Sequence, residues 1–177
     1  MRAFALALVL ASSGAAAQEA MRTLEGDGGA RIEYVLRKPA ADAHLLDPAA
    51  KLAPDSALNT ARLVARFLAQ GEIEEAALLS NAPRERFDVY KDRLETWGAE
   101  QFKQLFAQYR LPANPVIAEI VIGEHSLLIW NLSAQKRLAG QFFVRIEDKV
   151  LMDDTPNETR AQLRRVLEAY RSGAAPD

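Results

Sequence analysis

Apolar positions recur along this chain with two different periods, and the change falls near Pro112. Between Ala57 and Tyr109 the spacing is that of a helix face; from Val116 to Asp153 it is that of a half-buried strand. Ahead of both lies Arg31 to Arg37, where Ile32, Tyr34 and Leu36 alternate with Glu33, Val35 and Arg37, and this predicts a strand. Lys38 to Pro54, rich in proline and alanine, reads as a connecting loop, and Gln18 to Gly29 as a polar segment ending in a Gly26-Asp27-Gly28-Gly29 turn. Asp55 or Ser56 caps a helix carrying Ala57, Ala61, Val64 and Leu68, which Gly71 closes. A short helix runs from Glu72 to about Ser80. A third begins at Pro83, carries Phe87, Tyr90, Leu94 and Trp97, and stops at Gly98; a fourth carries Phe102, Leu105, Phe106 and Tyr109.

Strands are predicted at Val116 to Ile122, Ser126 to Leu132, Gly140 to Glu147 and Val150 to Asp153, with connections short enough for antiparallel hairpins. Thr155-Pro156-Asn157-Glu158 has the form of a capping box with proline at the first helical position. A last helix then shows Leu163, Val166, Leu167 and Tyr170 on one side up to Gly173. Helices grouped before an antiparallel sheet define an α+β domain whose helices cover one sheet face.

The stretch Gly71-Glu-Ile-Glu-Glu-Ala-Ala-Leu-Leu-Ser80, the helices ending near Tyr109 and the closing strands Arg145-Ile-Glu-Asp-Lys-Val-Leu-Met-Asp153 have a familiar order and texture. They resemble small exported members of the ketosteroid-isomerase-like cone fold, also called nuclear transport factor two-like. The resemblance covers residues 55–153 and departs from the family order at the strand before it and the helix after it. It implies N-terminal helices packed on a curved antiparallel sheet of four to five strands, here with a capped C-terminal helix. No catalytic residue follows from it, because a fold does not fix a function.

The N-terminus adds a destination. Met1-Arg2, the apolar run Ala3 to Ala11, the break at Ser12-Ser13-Gly14 and the small-residue Ala15-Ala16-Ala17 form a secretory signal, cut near Ala17 before Gln18. The run is far shorter than the roughly 20 residues of a membrane span. The expected organisation is therefore a signal peptide at 1–17, an N-terminal strand and connecting loop at 18–54, and helices, sheet and last helix at 55–173, forming a single domain with 31–37. Periplasmic localisation follows from this reading.

Composition narrows the chemistry. With 22 Lys+Arg against 24 Asp+Glu, the chain has no electrostatic footprint for nucleic acid. Its zero cysteines exclude disulfides, thiolate catalysis and Cys-ligated metal. His44 falls in the proline-alanine loop and His125 in a hairpin turn, and both read as solvated turn histidines, too few for a metal site. Glu72 to Glu75 lacks a calcium-loop spacing, and Asp153-Asp154 precedes a helix start, where carboxylates favour the dipole. Arg160, Arg164, Arg165 and Arg171 make the last helix basic, which reads as a solvated face.

One position stands apart. Glu119, in Val116-Ile-Ala-Glu-Ile-Val-Ile122, shares a predicted strand face with Ile117 and Val121. Arg145 alternates with Phe142, Val144 and Ile146, and Trp130 lies on the strand between. Glu119, Trp130 and Arg145 are the candidate ligand-binding residues, with the plain alternative of a cross-strand ion pair on a solvated face. No cofactor, metal ligand or catalytic residue is assigned. The expected function is an exported, non-catalytic domain that binds a small apolar ligand or an envelope protein, without membrane span or nucleic acid. The alternatives are a cone-fold isomerase or hydrolase with Glu119 as general base, and a homodimeric interaction module.

Overall fold

A computed structural model describes residues 18–25, 31–45 and 51–175. Two strands come first, β1 (Gln18–Glu25) and β2 (Arg31–Lys38). Four helices follow: α1 (Ala57–Gln70), α2 (Ile73–Ala77), α3 (Pro83–Trp97) and α4 (Ala99–Ala107). Strands β3 (Val116–Ile122), β4 (His125–Leu132), β5 (Arg137–Ile146) and β6 (Lys149–Met152) come next, and α5 (Glu158–Ser172) closes the order. All six strands form one antiparallel sheet in chain order, β1 to β6. The proposed signal at 1–17 and the Gly26 to Gly29 turn lie outside the described residues.

The protein is α+β, but the expected arrangement needs correction. The helices do not precede a sheet of four to five strands. They are inserted between the second and third strands of a six-stranded sheet, and α5 packs on the face opposite α1. The missed strand is β1, which pairs with β2 over its whole length from Gln18↔Lys38 to Glu25↔Arg31. Its two faces, Ala20-Arg22-Leu24 and Glu19-Met21-Thr23, carry no clean apolar alternation, so the ladder rather than burial orders it.

Two buried clusters hold the sheet between layers. On one face Leu128, Trp130, Leu132, Phe143, Val150 and Met152 meet Ala61, Val64 and Leu68 of α1 and Phe102 of α4. On the other, Ile32, Tyr34, Leu36, Ile120, Leu127 and Ile129 meet Leu163, Val166 and Leu167 of α5. Successive residues of a strand point to opposite faces. Leu127 through Trp130 are therefore buried without a break, Leu127 and Ile129 toward α5, Leu128 and Trp130 toward α1. Each such side chain stabilises the fold by about 1.5–3 kcal/mol relative to exposure.

The helix ends follow the predicted stops, with one shift. Ser56 Oγ accepts from Asn59 N at 3.3 Å, and Gly71, at φ +87°, takes the left-handed turn that closes α1. At α5 the cap is Asn157 rather than Thr155: its Oδ1 accepts from Arg160 N at 2.8 Å. An amide serves better than a hydroxyl here, because the Asn157 Nδ2 also donates to Asp153 Oδ2 and to the Thr155 carbonyl, each at 3.1 Å. The β6 edge is closed by the chain before it: Met152 N donates to Leu79 O at 2.7 Å and Asn81 N to Met152 O at 2.9 Å.

Gly140 sits where β5 passes under α5. A Cβ there would stand 2.5 Å from Leu167 Cδ2 and 3.0 Å from Leu127 Cδ1. Gly140→Ala should destabilise the protein by about 1–3 kcal/mol through overpacking, measured by urea denaturation. Combined with Leu167→Ala it should cost clearly less than the two single changes together, since the second makes room for the first. Strict additivity would show that the contact is not the cause.

Candidate functional site

Neither helix layer reaches across the whole sheet. The α1 side of the sheet is covered from Val116 at the start of β3 through β4 to β6, while the rest of its β1 to β3 strip is left to polar, half-buried and exposed side chains. The boundary lies at the N-terminus of α1. A cavity of about 240 Å³ opens there, lined by Arg37, Ser56, Glu119, Glu124, Ser126 and Arg145 among others.

Glu119 reaches this cavity because β3 is irregular. Val116 pairs with Trp130 but Ala118 pairs with Ile129, so Ile117 is an extra residue in the ladder. A bulge of this kind re-aims the side chains that follow it. Val116 and Glu119 consequently share the α1 side, whereas Ile117 packs with the α5 cluster. Glu119 keeps Val121 as a neighbour on its face and loses Ile117, which corrects the simple alternation.

Trp130 and Arg145 are on the same side of the sheet as Glu119, but the three do not form one site. Trp130 is fully buried, its Nε1 donating to Gln141 Oε1 at 3.0 Å, with Tyr109 edge-on at 5.1 Å and His44 edge-on at 5.8 Å. It supports the core and is not among the cavity's lining residues. Arg145 does line the cavity, yet β4 separates its strand from that of Glu119. Its Nε lies 3.8 Å from Glu124 Oε2 and its Nη2 donates to Asp55 O at 3.2 Å.

The partner of Glu119 is instead Arg37, its directly paired residue on β2. Arg37 Nη1 stands 3.9 Å from Glu119 Oε2, and Arg37 Nε donates to Glu19 Oε2 at 3.1 Å. The guanidinium is thus shared between a half-buried carboxylate and an exposed one. Burial pushes the Glu119 carboxyl above its ordinary range; Arg37 opposes the rise and Glu19 adds to it. The Glu119 side chain is 19% exposed, so one strong hydrogen-bonding group is largely desolvated at the cavity wall.

On the other side of the β3–β4 turn is a denser polar knot. His125 Nδ1 lies 3.0 Å from Asp153 Oδ2, and the Asp153 side chain is 1% exposed. Asn81 Nδ2 donates to Asp153 Oδ1 at 3.0 Å, and Asn157 Nδ2 donates to Oδ2. Beside it Asp154 accepts from Ser80 Oγ at 2.6 Å and from Arg86 Nε at 2.7 Å, with a second Arg86 nitrogen completing a forked pair. The knot joins the start of β4, the loop before α3 and the cap of α5. It fixes His125, and through it the Gly123-Glu124 turn whose residues line the cavity. Gly123 takes φ +57° at the first position of that two-residue turn, where glycine is favoured.

Both histidines therefore depart from the solvated reading. His44 is buried, its Nε2 donating to Leu111 O at 2.9 Å, since a carbonyl can only accept. Nothing in the local sequence pattern marks Arg37, Ser126 or the Asp153 knot. Opposite charges at Arg37 and Glu119 were a usable signal only once their pairing was known. No protein-family model, curated protein or solved structure matches the chain. The cone-fold resemblance therefore rests on element order and texture alone and assigns no role to these residues.

Two measurements follow. Asp153→Ala leaves three donors without their acceptor and should cost about 3–5 kcal/mol of stability in urea denaturation; a loss below about 1 kcal/mol would show that the knot is slack. Glu119 holds its proton in the folded state to higher pH than in the unfolded chain. Its contribution to stability therefore declines as pH rises from the ordinary carboxylate range to its raised value, and is level above that. Glu119→Gln should remove this decline, so the variant gains on the wild type between acid and neutral pH. A pH-independent difference would contradict the desolvation.

Proposed function

We propose that the protein is an exported binding domain that holds a compact zwitterion in the cavity at the α1 N-terminus. Export is the reading of residues 1–17 as a secretory signal. The observation that carries the ligand reading is the largely desolvated Glu119 carboxylate facing a cavity that Arg145 and Arg37 also line.

The lining does not suit the small apolar ligand expected from sequence. Four charged side chains and two serines line the space, and Trp130 is packed in the core. A buried carboxylate gains most from a partner that brings a positive charge or a donor proton. A ligand ammonium at Glu119 supplies that, while the Arg145 guanidinium and the positive end of the α1 dipole favour a ligand carboxylate. About 240 Å³ limits the ligand to roughly the size of a single amino acid. Among the described residues no helix is long and apolar enough to cross a membrane.

The test is a titration of the isotopically labelled protein with amino-acid-sized zwitterions, followed by amide shifts of Glu119, Ser126 and Arg145. Zwitterions should bind at least about tenfold more tightly than the matching amine or carboxylate alone. Glu119→Gln should remove the preference over the carboxylate, and Arg145→Gln the preference over the amine. Equal binding of all three ligand types, or shifts confined to other residues, would overturn the reading.

A further inference from the structure

The opposite face of the sheet carries a second feature, independent of the cavity. A groove of about 1020 Å³ runs beside α5, bounded at one side by Leu24 and Glu25 at the end of β1. The helix wall presents Arg160, Arg164 and Arg165. Arg171, the other basic residue of α5, is committed: it pairs with Glu168 at 2.8 Å and donates to Leu138 O. Arg160 reaches only a backbone carbonyl, that of Asp154, and lies over the Phe142 ring. Among the described residues, Arg160, Arg164 and Arg165 form no ion pair, and Arg164 and Arg165 form no side-chain hydrogen bond.

Arg160 also has a buried Nε with no hydrogen-bond partner. Buried polar atoms are paired in the great majority of cases, and this one calls for an acceptor oxygen. On the β1–β2 hairpin Arg22 Nε and Tyr34 Oη are likewise buried and unpaired, but neither side chain lines the groove.

We infer that this groove docks an extended acidic segment of a partner protein. The charge complementarity is that of unpaired guanidiniums for carboxylates, whose planar oxygens match the guanidinium fork. The length favours a chain over a single ion. The lining extends from Pro156 to Ala174 along a helix of 15 residues, which is about 22 Å and accommodates roughly seven residues of extended peptide. Ala161 and Ala169 leave room for a backbone to approach between the arginines. A bilayer is disfavoured because the groove is recessed between helix and strand, and its wall carboxylates Glu25 and Glu168 are paired with Arg31 and Arg171. A nucleic acid is disfavoured by the net charge of −2.

The experiment uses a fluorescent peptide of about ten residues alternating glutamate and serine, read by anisotropy against the protein. It is compared with the glutamine-for-glutamate peptide, with inorganic phosphate, and with phosphatidylcholine vesicles containing phosphatidylglycerol. The glutamate peptide should bind, more weakly as salt rises from about 0.05 to 0.15 M, and should shift the Nε–H signal of Arg160. Arg164→Gln/Arg165→Gln, both at exposed positions, should weaken binding at least about tenfold without changing stability. Arg84→Gln/Lys91→Gln, on the distant α3 surface, should leave it unchanged. Any of four results overturns the inference: equal binding of the glutamine peptide, equal loss in the α3 variant, the same signal shifts with phosphate alone, or preferential binding to vesicles.

Discussion

The structure depends on a sheet that is apolar on both faces through its middle. Leu127, Leu128, Ile129 and Trp130 run along β4 with no position left for water, so both sides of that strand must be covered. One cover cannot be shared between two faces. The chain therefore builds two, the α1–α4 group on one side and α5 on the other, and connects them through the sheet itself. Every polar group with chemical interest lies where one of these covers ends. Glu119 is at the limit of α1, the Asp153 knot at the limit of α5, and the arginine groove where α5 leaves the hairpin.

The two sides of the β3–β4 turn are linked by this geometry. Toward α1 the turn supplies Glu124 and Ser126 to the cavity; toward α5 it supplies His125 to a buried carboxylate. A buried charge held by three donors is rigid, because any departure leaves donors and acceptor unpaired in a poorly solvating interior. The knot thus gives a small cavity a fixed wall although the wall is a surface hairpin. The bulge at Ile117 plays a similar part on β3: without the extra residue, Val116 and Glu119 would point to opposite sides.

Helices were legible in the sequence because their signals are local. Gly71, Gly98 and Gly173 end α1, α3 and α5 where the apolar stripes stop. The hairpins of β3 to β6 were legible for the same reason. What was hidden depends on partners far along the chain. The ordering of β1 comes from β2, and Ile117 is apolar whether it faces one layer or the other, so its bulge leaves no trace in the pattern. Pairing of His125 with Asp153 requires three segments to converge, and burial of His44 requires Trp130 beneath it and Leu111 beside it. Glu119 could be singled out as a charge in an apolar strand, but its partner could not. Arg145 was the nearer guess by pattern, and Arg37 is the residue that register places opposite.

The insertion of four helices between β2 and β3 also has a kinetic meaning. Leu36 must find Ile120, and Arg37 must find Glu119, across the whole helical insert. Contacts between such distant positions pay their loop-closure entropy before they return any stabilisation, and they slow folding. The β1–β2 hairpin has no sheet to join until β3 exists. The hairpin stays undocked until the chain is complete through residue 122, and the α1–α4 group waits longer still for the β4 to β6 face on which it packs. The hairpin that precedes the helical insert in the chain is thus among the last elements to acquire its place.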